Sequence, residues 1–214
     1  SDLAYVLTAT LTLEGNDSEV GYNTSIESGG GIYAQGSMVS LDEDAEIEYN
    51  EAGDGGMASG GGAYLDNSGL YSDKASINNN RAGTNGGGVY AINGSAFDMD
   101  LGPYTCLGGR CSSLHHNTAD AGYGGGFCLY DSDAWLDNTF VESNSATMGG
   151  GVYAYDSDLN AANSLFTRND ASGGIGDAAR LYTASSLVGV GTTFAYNAAG
   201  GAGSGRAIDV YDAD

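Results

Sequence analysis

The chain is poor in what helices, basic ligands and membranes call for. It holds one proline, and no stretch shows the 3.6-residue apolar period of an amphipathic helix. Lysine and arginine number 6 against 28 aspartates and glutamates, giving a net charge of −22. A field of that sign repels nucleic acid and anionic membrane surfaces, so neither is an expected partner. No run approaches the ~18 apolar residues of a spanning helix, so direct membrane insertion is not expected. No secretory leader is visible, and the opening SDLAYVLTATLTL already reads as strand. The chain is therefore expected to be a mature product or a piece of something longer.

Glycine, by contrast, is abundant: 37 of 214 residues, against a usual ~7%. No Gly-X-Y period accompanies it, which excludes collagen. A hydrophobic content of 41% with 15 tyrosines argues against disorder despite the charge.

An internal repeat organises these residues. The pattern apolar-x-x-Asn-x-Ala recurs seven times, on Asn23, Asn50, Asn80, Asn117, Asn144, Asn169 and Asn197, with Ser25 in the alanine slot of the first. Successive asparagines are 27, 30, 37, 27, 25 and 28 residues apart. Triple glycines ending at Gly31, Gly62, Gly88, Gly126 and Gly151 interleave with them, followed by the degenerate GDAARLY and GRAIDVY. After each glycine motif the first and third residues are apolar, as in Val152/Ala154 and Ala179/Leu181. That alternation marks a strand with one buried and one wet face.

A unit with three short strands cannot bury its own apolar face, whereas stacked units can. The predicted fold is all-β: a right-handed parallel β-helix of about seven coils of 25–37 residues, forming a single domain over 1–214. An antiparallel sandwich or propeller is disfavoured, because hairpin signals are scarce and Asn-Gly occurs once, at Asn93-Gly94. Like positions of successive coils lie above one another, so the asparagine column is expected to be a structural ladder within a bend. The glycines suit a tight bend or a close backbone approach.

The paired motifs GGGIYA, GGGVYA and GGGVYAY with FTRN and FAYN resemble the repeats of chlamydial polymorphic outer-membrane proteins and related bacterial right-handed β-helix surface proteins. The resemblance covers nearly the whole chain. It implies a surface-exposed adhesin with the β-helix as passenger.

Four groups of residues are candidates for function. Tyr33, Tyr64, Tyr90 and Tyr153, at the second strand position, and Tyr130, Tyr155, Tyr182 and Tyr211, at the fourth, form an outward stripe. It is either a stabilising stack or a surface for sugar rings or a neighbouring rod. Asp131/Asp133 and Asp156/Asp158, on adjacent coils, would cluster at one turn, where calcium would relieve their repulsion. A solvated acidic turn is the alternative. The acidic LDEDAEIEYNEAGD at 41–54 alternates and is expected to show its charges outward. CLGGRC places Cys106 and Cys111 around a Gly-Gly turn in the one 37-residue coil, in a side loop near 98–113. A disulfide there implies an oxidising compartment and leaves Cys128 over, although other pairings are open. His115 and His116 make a zinc site conceivable, but solvated turn residues are the better reading.

Catalysis has weak support in these patterns. Lys74, Arg81, Arg110, Arg168, Arg180 and Arg206 fall in different columns, without the cluster that a lyase on acidic sugars needs. Asp131 and Asp156 are the carboxylate pair a glycosidase would use. The leading expectation is a non-enzymatic secreted or cell-surface module, adhesin-like or structural, needing no cofactor. Its partner would be a glycan, a surface protein or another copy. Strand character begins at Leu3 and the chain stops in mid-coil at RAIDVYDAD, with no polar cap. Uncapped ends predict truncation or head-to-tail assembly into a filament. The alternatives are a carbohydrate-active β-helix enzyme and, more remotely, an ice-binding solenoid, for which only TATLTL hints at a threonine array.

Overall fold

A computed structural model describes residues 4–15, 18–42, 44–53, 56–99, 111–197 and 206–212. These residues form a parallel β-helix with no helical segment among them. Each turn contributes one strand to each of four parallel sheets. In the sixth turn these are Val152–Tyr155, Asp158–Ala162, Leu165–Thr167 and Asp170–Ala171. The first sheet has eight strands, the second and third seven each, and the fourth six, so six turns carry all four strands among the described residues. The fourth strand differs from the three-strand unit the repeat predicts. It is two residues long and occupies the Asn-x-Ala step, too short for alternation to reveal it. The predicted side loop is also shorter than its 98–113 bounds. Ala96–Met99 and Ser113–His115 are strands, and 100–110 lie outside the described residues.

Register is strict, with Val152 between Phe127 and Ala179 in the first sheet and Phe166 between Val141 and Phe194 in the third. The interior is therefore a set of columns. Ile32, Ala63, Val89, Phe127, Val152 and Ala179 form one, and Ala34, Leu65, Ala91, Leu129, Ala154 and Leu181 the next, all at most 1% exposed. A large residue in one column tends to face a small one in the other within the same strand, which fills a narrow interior at even cross-section. The alternation lapses in the last described strand, where Ile208 and Val210 are exposed and Asp209 is buried.

Three glycines precede five of the eight first-sheet strands, each for a separate steric reason. Gly149 has φ of 61°. A Cβ on Gly150 would lie 2.5 Å from the backbone of Asp170, and one on Gly151 would lie 2.4 Å from the Ala178 oxygen of the next turn. Any side chain at these two places would push the turns apart.

The asparagine column is a closed hydrogen-bond system. Asn117 Oδ1 accepts from both the backbone N–H (3.0 Å) and the Nδ2 (3.1 Å) of Asn80. Its Nδ2 donates to Asn144 Oδ1 (3.1 Å) and to the Ile77 carbonyl (2.9 Å). Two donors and two acceptors are all that a side-chain amide offers, and all are used. The pattern repeats from Asn23 to Asn197.

A second column, of serine, went unread in the sequence. The N–H groups of Ser37, Ser68, Ser95, Ser132 and Ser157 each donate to the hydroxyl of the serine one turn on, ending at Ser185, at 3.1–3.2 Å. Left-handed residues precede both columns: Gly36, Asn67, Asp131 and Asp156 before serines, and Tyr49, Asn79, His116, Ser143 and Arg168 before ladder asparagines.

Replacing Asn117 with alanine strands two buried donors on Asn80 and removes one bond each from Asn144 Oδ1 and the Ile77 carbonyl, at ~1–3 kcal/mol per orphaned group before relaxation. The expected loss in denaturant unfolding is about 3 kcal/mol or more. Glu27→Ala, at an exposed position outside the left-handed corners, should stay within about 0.5 kcal/mol. Equal effects of the two would show that the ladder contributes no special stability.

Candidate binding face

The first sheet carries the tyrosines on its outward side. Rings of Tyr33, Tyr64, Tyr90, Tyr130, Tyr155, Tyr182 and Tyr211 follow one another at centroid distances of 5.0, 5.4, 6.0, 5.1, 5.7 and 5.3 Å. The run begins at the second strand position and crosses to the fourth between Tyr90 and Tyr130. Cys128 causes the crossing, because it stands between Tyr90 and Tyr153 in register and is too small to continue the stack. Its thiol is free and fully buried, and burial holds it un-ionised.

Tyr153 departs from the outward stripe that the sequence predicts. It is 6% exposed because Tyr123, from the loop before the next-lower glycine motif, stacks on it at 4.7 Å. Burial first, and then the neighbouring Cys128, lift its hydroxyl to about 12. The same two causes raise Tyr90 and Tyr130 further, burial again leading. Because the rings lie against one another, their faces are largely occupied. What the stack offers a partner is ring edges and hydroxyls.

The charge on this face is low for so acidic a chain. Its described outward positions hold two acids, Asp66 and Asp209. Asp66 accepts hydrogen bonds from Gln35 and Asn93. Asp209 is paired with Arg206 at 2.6 Å and lies 3.8 Å from Arg180. The third sheet is different, since Glu19, Glu46 and Glu48 crowd together on its outer side, as the alternation of 41–54 predicts. Burial and then Glu46 and Glu19 raise the Glu48 carboxyl above its ordinary value.

The paired aspartates do lie on adjacent turns, but their backbone and hydrogen-bonding roles account for the Asp-Ser-Asp motif. Asp131 and Asp156 are exposed left-handed corner residues, with φ of 47° and 51°. Aspartate tolerates that conformation. Asp133 Oδ1 accepts from the Asp158 N–H at 3.0 Å, and Asp158 Oδ1 accepts from Ser186. No group of three or more metal-ligating side chains converges among the described residues.

The histidines form a local network. Ser76 Oγ accepts from Asn78 and Ser113 and lies 3.3 Å from His115 Nε2. His115 Nδ1 lies 2.9 Å from His116 Nδ1. Burial and then His116 lower the His115 pKa. Cys111 is disulfide-bonded, whereas Cys106 lies outside the described residues.

Arg180 and Arg206 flank one carboxylate, Asp209, and the other described cations are scattered. Arg81 pairs with Glu51 and Asp120, and Arg168 with Glu142. Arg180 reaches Met148 and lies over Tyr182, Lys74 occupies a left-handed corner, and Arg110 lies outside the described residues. Besides the serine column, the sequence reading passed over Tyr123 and Trp135. Trp135 is outward on the second sheet and 41% exposed.

No protein family, curated protein or solved structure matches this chain, so the likeness to chlamydial repeats rests on its motif residues alone.

Two pH effects follow from these shifts. A carboxyl with a raised folded pKa is penalised when ionised; the penalty is absent below the unfolded value and full above the folded one. Glu48→Gln should therefore raise the melting temperature at pH 7, with the gain fading as the pH falls toward 4.5 and below. An unchanged melting temperature at pH 7 would show that crowding of Glu19, Glu46 and Glu48 carries no cost. Tyr64, Tyr90, Tyr130 and Tyr153 give the alkaline limb. Their phenols ionise less readily folded than unfolded, so stability should fall as pH rises above 10. Absorbance at the phenolate band should then rise together with unfolding. Complete ionisation of all tyrosines near pH 10 in the folded state would contradict the buried stack.

Proposed function

We propose that the chain is a non-enzymatic rod module of a secreted or cell-surface protein, adhesive or structural, meeting its partner along an outer face. The observation that carries this is the tyrosine run. It continues through seven rings without a gap, on a face whose two acids are both engaged, along a molecule of net charge −22. Such a strip lets an uncharged extended partner approach lengthwise where the rest of the surface is acidic. A glycan chain, a surface protein or a second rod would each meet hydroxyl-fringed ring edges there. The disulfide at Cys111 supports an oxidising, extracytoplasmic location.

Retention of the purified chain on immobilised glycans, surface extracts and itself tests the reading, with reducing-end release measured in parallel. Retention without turnover is expected. Tyr155→Phe with Tyr182→Phe keeps the stack and removes two hydroxyls, so it should weaken retention and leave the melting temperature within a few degrees. Turnover of a polysaccharide by the wild-type chain would overturn the reading in favour of a carbohydrate-active enzyme.

A further inference from the structure

The second sheet holds an aromatic ring of another kind. Trp135 points outward from Asp133–Asp137, with Asp98 below it in register and Asn160 above. Neither neighbour is aromatic, and Trp135 stacks on no ring among the described residues. Its indole face is therefore open where the faces of the tyrosines are covered. The side chains above it are short: Asn160 and Ala162 separate Trp135 and Asp137 from Val188 and Val190 one turn further on. The result is an open groove of about 290 Å³ lined by these six residues together with Leu136 and Ala161. Small-molecule sites begin at about that size, ~300 Å³.

The lining has a specific chemistry. One wall is an exposed indole, and the other is Val188 and Val190, 52% and 64% exposed. Between them lies the Asn160 amide, which has no hydrogen-bond partner in the protein among the described residues. Asp137 adds a carboxylate with one oxygen accepting from Asn163 at 3.3 Å. A flat apolar face beside an amide that both donates and accepts matches a pyranose ring, whose axial C–H face is apolar and whose rim is hydroxyl. No cation lines the groove, and Asp137 lies in it, so an acidic sugar would be repelled. We infer that this groove is a binding subsite for one neutral pyranose ring of a glycan, stacked on Trp135 and hydrogen-bonded to Asn160 and Asp137. The inference rests on the reading of the rod as a non-enzymatic binding module and assigns it a ligand class and a place.

Trp135 is the only tryptophan in the chain, so its emission reports on the groove alone. The full chain is titrated with cellohexaose, mannohexaose and chitohexaose, and with oligogalacturonate as the anionic control. A saturable change in emission with at least one neutral hexamer, and none with oligogalacturonate, is expected. Trp135→Ala and Asn160→Ala should each weaken retention on the matching immobilised polysaccharide about ten-fold or more, with unchanged melting temperatures, and Trp135→Phe should retain part of it. Retention that persists undiminished in both alanine variants would overturn the groove while leaving the module a glycan binder. No response to any neutral hexamer, or an emission change that follows protein concentration in place of sugar, would also overturn it. Release of shorter sugars by the wild-type chain would defeat the non-enzymatic reading instead, and a loss of that release in Trp135→Ala would keep the groove as a subsite.

Discussion

The constraint behind everything else is that each turn must present the next with the same backbone path, one strand spacing of ~4.8 Å away. The asparagine ladder makes that repetition favourable. An amide that uses all four of its hydrogen-bonding positions does so only if the amides above and below sit in register. A slip of one residue at any turn would orphan groups on three successive asparagines. Register in the four sheets, size matching in the interior columns and the stacking of the tyrosines are all downstream of that requirement.

Much of this was legible because stacking imposes residue identity. A column that needs a side-chain amide shows asparagine seven times, and a backbone that tolerates no Cβ shows glycine in triplets. Columns with weaker demands were hidden. Serine hydroxyls support five N–H groups, yet serine is so common a turn residue that its recurrence at Ser37, Ser68, Ser95, Ser132 and Ser157 carried little weight. The Asp-Ser-Asp motif carries a second meaning that the string does not show. As a string it suggests paired ligands, but its first aspartate meets a left-handed corner and its serine belongs to a ladder.

The candidate surfaces were the least legible part, for a physical reason. A repeat fixes what each position faces on average and is silent about local cover. Tyr153 occupies a wet column and is nonetheless buried, because Tyr123, whose position before the glycines is filled by Asn85 and Met148 in the neighbouring turns, lies on it. Trp135 appears once, so no periodicity draws attention to it, and its open face depends on the shortness of Asn160 and Ala162 in the turn above. Departures from a periodic scaffold are where specific recognition can reside, since the periodic part is already committed to holding itself together.

The ladder also has a direction. From Asn23 through Asn169 each Nδ2 donates one proton to the Oδ1 of the asparagine one turn later, and from Asn50 onward the other goes back to a carbonyl of the turn before. Its amide dipoles therefore add along the axis rather than cancel, and one end of any such stack offers an acceptor where the other offers a donor. A turn inserted or excised whole would meet the same chemistry on both sides. Length in this architecture is thus a count kept by the gene, changeable by duplicating a unit of 25–30 residues, with no energetic optimum in the repeat to select it.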